Sequence, residues 1–548
     1  MKVKRISVVV LSVILAFAMC FSISSCGSES ADNETAGETT GYDPADPPSN
    51  TKEIVFLSGS YEEMGQQYGQ QAKDSLERVA AHKKAKAIKQ FGSIDEAYDA
   101  LDDYESIYEE NIPNVVSMWK GMAETSGISY EDILIAYTQF NTESQKNCST
   151  VSMWGNATAD GKLICGTNYD LTLGPYTYEP VVVAYPEDGN AFIGASGLIG
   201  GSYMNSKGLV VMGSQGQDAQ KGDTGKAVAP KVGLLEIIMT CDNAKQAKKL
   251  YINKVAPGSG ENLHVVDTSG NNFLVEHTMA KDTVRTTGDF DENDYLLATN
   301  GFLTDEMKDS LYTGEEFWDD DLPRYWTEEK IIQDADGSAT VDTLADALGC
   351  TSYYIDENYK KDVWEDGKVI GYKKVENGIW VEDNWDLEDY TGFWTPENRE
   401  AGTKCVTRTV AVPEDMTMYV MQGCRDTYAS DIPDATGNFW KITLAEDIET
   451  VLAQAEDYAQ IQIWLGGRDT ENAAADKTAR NEDLNTAKAA VYEGMSYVDM
   501  AGCEDDYTAK LTYYSKAATA YGKAHCYAQL AQNDPSKLIR EGAEYEVY

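Results

Sequence analysis

The chain has 548 residues, of which 42% are hydrophobic, and its formal net charge is −46 at pH 7. This length and apolar content suffice for one large hydrophobic core or two moderate ones. Because so negative a field repels phosphate backbones and anionic lipid, the charge argues against nucleic-acid partners and modestly against bulky anionic substrates.

The N-terminus has the pattern of a secretory signal. Three basic residues precede an apolar run that ends at Phe21 and is too short for a stable transmembrane anchor. The sequence Ile23-Ser24-Ser25-Cys26-Gly27 then resembles a bacterial lipobox, which predicts removal of residues 1–25 and lipidation of Cys26. We therefore expect an extracytoplasmic protein tethered to the lipid bilayer of a cell membrane, since each buried CH₂ contributes about 0.8 kcal/mol. Ordinary secretion with loss of Cys26 is the alternative.

Composition divides the rest of the chain into four segments. Residues 26–50 contain almost no apolar residue and are predicted to form a disordered stalk. Residues 51–147 are predicted to be a mainly helical pro-segment, residues 148–440 a domain of short strands and helices, and residues 441–548 a helical C-terminal extension. Within the domain, the tryptophan-rich residues 352–404 are predicted to be an irregular insertion packed on the core, with a lid or a ligand-facing surface as the alternative.

The predicted elements of the pro-segment begin with a strand over 53–58. Ser60, with Glu63 three residues later, predicts a capped helix start. Helical patterning returns over 112–124 and again over 133–140, where Ser129 opens the helix. Helices thus lead the chain toward residue 147.

Beyond residue 147 the pattern changes to short strands bounded by turn residues. The predicted strands cover 149–153, 163–167, 181–185, 191–195, 208–212, 263–267 and 273–277. Helices are predicted over 232–240 and 244–251. Strands in this number, with helices before and among them, predict stacked sheets covered by helical layers.

The ten cysteines show no metal-binding spacing, so we expect neither a zinc site nor another metal or cofactor. Export permits disulfides, and Cys405 with Cys424 or Cys503 with Cys526 could pair. A chain of this size does not need such links, and mostly free thiols are predicted.

One cysteine stands in a context that suits catalysis. Cys148 lies at the start of a predicted strand in Asn147-Cys148-Ser149-Thr150, and Asp170 follows one hairpin later. Cleavage of the Asn147–Cys148 bond would give Cys148 a free α-amine with a pKa of about 7.7 to 8.0, close to the value of about 8.5 for a thiol. Such an amine can exchange a proton with the thiol at neutral pH, so no histidine is needed.

Several motifs in order resemble one family of enzymes. They are Gly59-Ser60-Tyr61-Glu62-Glu63-Met64-Gly65, then Gly121-Met122-Ala123-Glu124, then the Cys148 motif and Asp160-Gly161-Lys162-Leu163. From residue 52 to residue 440 the chain is similar to the self-processing, penicillin-acyltransferase-like branch of the N-terminal nucleophile (Ntn) hydrolases, which is related to choloylglycine hydrolases and acid ceramidase. The resemblance implies an α+β fold, a four-layer αββα sandwich.

The resemblance also implies roles for individual residues. Cys148 would be the nucleophile, and Asp170 would hydrogen-bond its α-amine. Asn300, in Leu297-Ala298-Thr299-Asn300, and Gln215 would donate to the oxyanion. Arg324, in Pro323-Arg324-Tyr325, would close the network near Asp170, although it could instead pair with the acidic residues 319–321.

The sequence departs from these relatives at three positions. Thr167 stands where choloylglycine hydrolases and acid ceramidase have arginine, and penicillin-acyltransferase relatives also lack that arginine. Gln215 replaces an asparagine, and Asn147 stands where many relatives have glycine. The first departure argues against a bile salt or a ceramide as the substrate, and it favours the penicillin-acyltransferase branch.

The function implied is cleavage of a non-peptide C–N amide in a small acyl-amide substrate through a Cys148 thioester. Hydrolysis is favoured over acyl transfer, because an exported enzyme meets water in large excess. One alternative is a papain-like thiol enzyme in the uncut chain, with His264 or His277 as base. Another is a catalytically inactive lipoprotein that binds a cell-wall or glycan ligand. The acyl group, the leaving amine and the oligomeric state are left open.

Overall fold

The computed structural model describes most of the chain beyond the predicted stalk. The described residues are 54–138, 146–172, 179–198, 201–218, 226–255, 259–289, 292–307, 310, 318–348, 360–365, 368–376, 379–381, 403–421, 439–445 and 448–532. The signal, the lipobox and the stalk lie outside them.

The described residues form twelve α-helices and seventeen β-strands. The helices are α1 Tyr61–Gln71, α2 Lys73–Phe91, α3 Ile94–Asn111, α4 Pro113–Ser126, α5 Tyr130–Tyr137, α6 Pro230–Thr240, α7 Ala244–Lys254, α8 Trp318–Asp334, α9 Val341–Leu348, α10 Ile448–Ala475, α11 Asn481–Cys503 and α12 Tyr507–Ala531. The strands are β1 Ile54–Gly59, β2 Lys146–Met153, β3 Ile164–Thr172, β4 Val181–Pro186, β5 Phe192–Gly194, β6 Ser202–Asn205, β7 Leu209–Asp218, β8 Ser259–Asp267, β9 Asn272–His277, β10 Asp282–Arg285, β11 Tyr295–Ala298, β12 Lys360–Glu365, β13 Lys368–Glu376, β14 Ile379–Val381, β15 Thr403–Val412, β16 Thr417–Met421 and β17 Phe439–Thr443.

Every strand predicted between residues 149 and 277 has a counterpart among these, as do both helices predicted in that region. The start of α1 is also confirmed. The Ser60 hydroxyl accepts from the Glu63 amide, and the Glu63 carboxylate accepts from the Ser60 amide, which is a capping box.

Three sheets are formed by the described strands. The eight-stranded sheet has the order β1-β4-β5-β6-β7-β8-β9-β10, and the six-stranded sheet has the order β11-β2-β3-β15-β16-β17. The third sheet joins β12, β13 and β14 antiparallel within the insertion, where the sequence predicted irregular structure. Residues 352–359 and 382–402 of that insertion lie outside the described part of the chain.

The buried apolar side chains fall into layers. One cluster joins helices α1 to α7 to one face of the eight-stranded sheet, and a second joins the other face of that sheet to the six-stranded sheet. A third cluster packs α8 and α9 on the outer face of the six-stranded sheet. The α+β class is thereby confirmed, and the order of layers is consistent with the predicted αββα sandwich.

The pro-segment is part of this core. Strand β1 pairs in parallel with β4, from Ile54 opposite Val181 to Gly59 opposite Pro186. Trp119 in α4 is fully buried, and its ring stacks on Tyr137 at 5.3 Å. The residues that precede Cys148 therefore contribute a strand and a large share of the apolar packing.

The C-terminal extension packs against the domain. The hydroxyl of Ser515 in α12 donates to the carbonyl of Ile54 in β1, the edge strand of the eight-stranded sheet. Val451 and Leu511 join the cluster between the two large sheets. The extension therefore covers a sheet edge that would otherwise offer unpaired backbone groups. Among the helices of the described residues, none combines the length and apolar content that crossing a membrane requires.

A buried carboxylate joins α6 to the pro-segment. Glu236 in α6 is 5% exposed and accepts from the side-chain amide of Asn114 at 2.9 Å and from the backbone N–H of Val115 at 3.3 Å. Both donors belong to the first turn of α4, where backbone N–H groups lack helical partners. Burial raises the pKa of Glu236 to about 7 despite these hydrogen bonds.

We expect this carboxyl to make folding stability fall as pH rises from about 4.5 to about 7. Over that window the unfolded chain has already released the proton, whereas the folded chain still binds it. Glu236→Gln cannot ionise and should remove this part of the pH dependence, which is on the order of a few kcal/mol. Urea unfolding at pH 5 and pH 8 measures the effect. Glu62→Gln, at an exposed position of α1, should leave the slope as in the wild type, and an equal slope in Glu236→Gln would contradict the assignment.

Candidate active site

Cys148 lies between the two large sheets. It is the third residue of β2, is 1% exposed, and stands opposite Tyr169 of β3. Side chains alternate along a strand, and Val151 and Met153 belong to the cluster with α8 and α9. Cys148 therefore faces the eight-stranded sheet.

Asn300 and Arg324 converge on the backbone of Cys148. The Cys148 N–H donates to Asn300 Oδ1 at 2.9 Å, and Arg324 Nη2 donates to the same oxygen at 2.7 Å. Arg324 Nη1 donates to the Cys148 carbonyl at 2.8 Å and to the Ser149 hydroxyl at 3.3 Å. Asn300 is fully buried and Arg324 is 4% exposed. Tertiary structure thus brings together three of the predicted site residues.

The orientation of the Asn300 amide follows from these contacts. A backbone N–H and a guanidinium can only donate, so the oxygen of the side chain must face them. Its Nδ2 group therefore points away from these two donors. As part of the same amide, it stays close to Cys148. The predicted role of Asn300 as an oxyanion donor stays a prediction, and the structure adds an acceptor role toward the nitrogen of Cys148.

The loop that carries Asn300 is held by residues that the sequence analysis did not single out. Asn262 of β8 donates from Nδ2 to the carbonyls of Thr299 and Gly301, both at 3.0 Å. Ser214 of β7 donates to the Thr299 carbonyl at 2.5 Å. Both residues are buried, and they stand opposite each other in the sheet. Because β7 and β8 also carry other polar residues, no pattern in the sequence singled out these two.

Thr167 and Asn168 fix the strand that carries Cys148. The Thr167 hydroxyl donates to the Ser149 carbonyl at 2.7 Å, and the Ser149 N–H donates to Asn168 Oδ1 at 2.7 Å. Asn168 Nδ2 also donates to the carbonyl of Leu348 at the end of α9 at 3.1 Å. The threonine that replaces the arginine of choloylglycine hydrolases therefore has a structural role beside the nucleophile.

Asp170 and Gln215 are placed only through their backbones. Asp170 is paired with Asn147, the residue directly before Cys148, so its Cα lies one ladder position from the nucleophile. Gln215 lies in β7 opposite Glu261 of β8. The side chains of Asn147, Asp170 and Gln215 lie outside the described residues, so their predicted roles stay predictions.

Asn205, at the turn between β6 and β7, has a structural role. It is fully buried, and its Nδ2 group donates to the carbonyls of Ile238 and Cys241, both at 2.9 Å. Its Oδ1 accepts from the amides of Lys207 and Leu209. Gly208 completes the turn at φ +74°, where a side chain would be strained. The turn joins β6 to β7 and so sets the start of the strand that carries Gln215.

A small cavity adjoins Cys148, with room for about one water molecule. The Tyr169 hydroxyl at its wall donates to the Gly201 carbonyl and accepts from the Gly213 N–H at 3.3 Å, and the Lys231 ammonium lies 5.6 Å from the tyrosine ring centre. Burial, reinforced by Cys148, raises the pKa of Tyr169, so its phenol is neutral. The lining residues are Cys148, Tyr169, Gly201, Gly213, Lys231, Leu234 and Glu261.

Glycine at position 213 makes room for the Glu261 carboxyl group at this cavity. A Cβ there would lie 2.3 Å from Glu261 Oε1, which a real side chain cannot do. Glu261 is 4% exposed, whereas Lys231 is half-buried at the start of α6. The cavity is therefore lined by one acidic and one basic side chain near the thiol.

The described residues include two other buried thiols, Cys165 and Cys241. Burial raises the pKa of Cys241 to about 11 and raises that of Cys165 strongly. Both are free thiols, as is the exposed Cys503. Neutral buried thiols are weak nucleophiles, so Cys165 offers a comparison for Cys148.

The two histidines of the papain-like alternative do not take the expected position. His264 is fully buried, with Nε2 2.8 Å from the Ser152 hydroxyl and Nδ1 3.2 Å from the Thr150 hydroxyl. Burial lowers its pKa to about 3, so the ring is neutral at pH 7. The His277 ring packs edge-on against Tyr251 at 5.3 Å. His264 thus lies beside the strand that carries Cys148, and both of its ring nitrogens contact other residues of that strand.

We predict that His264→Gln keeps catalysis within about threefold of the wild type, because an amide retains a donor and an acceptor for the two hydroxyls. A general base would instead contribute roughly 10² to 10⁴ in rate. Steady-state kinetics of the variant decides the matter. A loss of that larger size in soluble, folded His264→Gln would restore the papain-like mechanism.

Comparison with known proteins bears on the family. Residues 157–366, less than half of the chain, match the family described as acyl-coenzyme A:6-aminopenicillanic acid acyl-transferase. This confirms the predicted family resemblance. The matched region contains Asp170, Gln215, Asn300 and Arg324 and begins shortly after Cys148. No curated protein sequence matches the chain significantly.

Solved structures of low similarity include two Ntn hydrolases. A point mutant of conjugated bile acid hydrolase from Clostridium perfringens is 11% identical, with 55% of this chain and 93% of that chain covered and a TM-score of 0.29. Penicillin V acylase from Agrobacterium tumefaciens is 13% identical, with 55% and 87% covered and a TM-score of 0.31.

Proposed function

We propose that this protein is an exported, lipid-anchored, self-processing Ntn hydrolase that uses the Cys148 thiol to cleave a non-peptide amide. The observation that carries the proposal is the convergence of Asn300 and Arg324 on the backbone of Cys148. A buried cysteine that serves only for packing does not need two polar side chains at its own N–H and C=O. An enzyme whose nucleophile becomes a chain terminus does need such contacts at its backbone.

The first step is cleavage of the Asn147–Cys148 bond. The Cys148 sulfur attacks the Asn147 carbonyl carbon, the C–N bond breaks, and the nitrogen takes a proton as a thioester forms. Water then hydrolyses the thioester, which leaves a carboxylate on Asn147 and a free thiol and α-amine on Cys148. Asn147 is paired with Asp170, so the bond to be cut lies beside the backbone of that residue.

A hydrogen-bond acceptor for the new α-amine is already present in the uncut chain. Asn300 Oδ1, which accepts the Cys148 N–H in the uncut chain, can accept from the amine in the same place. Arg324 hydrogen-bonds that oxygen and so helps hold it. The amine takes the thiol proton, and Asp170 steadies the charge that results.

Substrate cleavage repeats the chemistry of the first step. The thiolate attacks an amide carbonyl, the tetrahedral oxyanion receives hydrogen bonds from Asn300 Nδ2 and Gln215, and the leaving amine takes the proton from the α-amine. Water then releases the acyl group as a carboxylic acid, and an amine acceptor would receive it in the transferase reaction. The description of the matched family supports an acyl group as the part that is carried on sulfur.

Location outside the cytoplasm and a lipid anchor are supported by the sequence of residues 1–27. The acidic composition fits a protein that must remain soluble on a tether. We propose Cys26 as the lipidated residue and residues 26–50 as the spacer to the enzyme.

Mass spectrometry of the purified protein tests self-processing. Under denaturing conditions the wild type should give two chains, one of which begins at residue 148, and Cys148→Ala should give one chain. Under native conditions the two chains should remain together, because β1 and α1 to α5 belong to the core of the domain.

Cys165→Ala is the matched control, since it removes a buried thiol from the neighbouring strand. It should be cut and should hydrolyse acyl-amides as the wild type does. An uncut wild-type chain with full activity would contradict self-processing. Amidase activity that survives in Cys148→Ala would overturn the proposed nucleophile, and a wild type inactive on a broad acyl-amide panel would favour the binding-protein alternative.

Cys26→Ser tests the anchor. The variant should move from the membrane fraction to the soluble fraction in its native host, because a serine cannot receive the lipid, while processing at residue 148 continues. Metabolic labelling with a fatty acid gives the independent measurement. Retention of label and of membrane location in Cys26→Ser would contradict the assignment.

A further inference from the structure

A second set of buried charges lies behind the residues that contact Cys148. Arg285 ends β10, Glu292 precedes β11, and Tyr325 follows Arg324 in α8. Arg285 and Glu292 are each 1% exposed, and Tyr325 is 6% exposed. Charges so deeply buried are costly unless they are paired, which raises the question of what this group does.

Glu292 is the centre of the group. Its Oε1 accepts from Arg285 Nη2 at 3.2 Å and from the Tyr325 hydroxyl at 3.1 Å. Burial raises the pKa of Glu292, and the positive charge of Arg285 opposes that shift. Three elements, β10, the start of β11 and α8, therefore meet at one carboxylate oxygen.

The same group holds both ends of the loop that carries Asn300. Arg285 Nη2 also donates to the carbonyl of Leu297, three residues before Asn300. Glu276, which is fully buried and lies 3.8 Å from Arg285, accepts from the Leu303 amide at 2.8 Å, three residues after Asn300. A shift of Arg285 would therefore disturb the loop from two directions.

We infer that Glu292 is a positioning residue, which fixes Arg324 through Tyr325 and Asn300 through Arg285 so that both meet the backbone of residue 148. The inference rests on the proposed function, because these contacts matter for catalysis only if residue 148 is the nucleophile. Neither Arg285, Glu292 nor Tyr325 needs to touch a substrate.

The position of Glu292 between these elements explains the presence of a buried ionic group there. Arg324 and Asn300 come from a helix and a loop that share no strand pairing. Apolar packing alone leaves such elements free to shift by fractions of an ångström. A carboxylate that accepts from a guanidinium and a phenol at once restricts distance and angle together. Preorganised groups of this kind are what hydrogen-bond catalysis requires.

The chain offers a matched pair of variants for the test. Tyr325→Phe removes the hydroxyl that ties α8 to Glu292 and keeps the ring in the core. Tyr295→Phe removes a hydroxyl of β11 that also ties a strand to α8, through Glu329 at 2.9 Å and Gln333 at 3.2 Å, but these residues lie five and nine positions beyond Arg324. Tyr325→Phe thus loses one buried hydrogen bond of this helix, and Tyr295→Phe loses two part-buried ones.

The first measurement needs no activity. In the uncut Cys148→Ala protein, hydrogen exchange at the amide of residue 148 reports its hydrogen bond to Asn300. Tyr325→Phe should speed this exchange roughly tenfold, as expected for one lost contact to a charged group, and Tyr295→Phe less than about twofold. Exchange in β4, Val181–Pro186, serves as the reference for global stability. Equal exchange at residue 148 in the two variants overturns the inference.

The second measurement uses the chain with Cys148 intact. Tyr325→Phe should slow the appearance of the chain that begins at residue 148 and lower kcat by roughly tenfold with KM unchanged, whereas Tyr295→Phe should change neither. Glu292→Gln is the second variant and should show the larger loss. If the wild type is neither cut nor active, the proposed function fails, and the exchange experiment still decides whether Glu292 positions Asn300.

Discussion

The candidate site depends on the side-chain oxygen of Asn300. Asn300 Oδ1 accepts from the Cys148 N–H at 2.9 Å and from Arg324 at 2.7 Å, and all three residues are buried. A strand, a loop and a helix must all be in place for this to happen. In such a low-dielectric setting an unpaired donor would be costly, so these contacts both mark the site and help to hold it.

The site is built by the whole layered fold. Strand β2, which carries Cys148, lies between β11, which leads to Asn300, and β3, which carries Asp170. The opposing sheet supplies Asn262 and Ser214 to the Asn300 loop, and the Glu292 group joins that loop to α8. Because β1 and the first five helices belong to the same core, the proposed cut before Cys148 would free a terminus without removing the segment that precedes it.

Sequence patterns were strongest where local rules apply. Short runs bounded by turn residues predicted seven strands between 149 and 277, all of which occur, although β6, Ser202–Asn205, was not predicted. Ser60 with Glu63 predicted a capped helix start, and the structure contains the capping box. Patterns were weaker in the tryptophan-rich insertion, where three antiparallel strands occur in place of irregular structure. Strands rich in lysine, glutamate and glycine carry little periodic signal, so their pairing could not be predicted from the sequence.

By itself, the sequence determined the α+β class, the family resemblance, and Cys148, Asn300 and Arg324 as residues of interest, because motif order and periodicity are local properties of a chain. Only the tertiary structure decided that Asn300 presents its oxygen to the Cys148 nitrogen, that His264 is held by Thr150 and Ser152, and that Glu292 joins Arg285 to Tyr325. These are contacts between residues far apart in the chain. Their partners are chosen by strand order and burial, which no local pattern records.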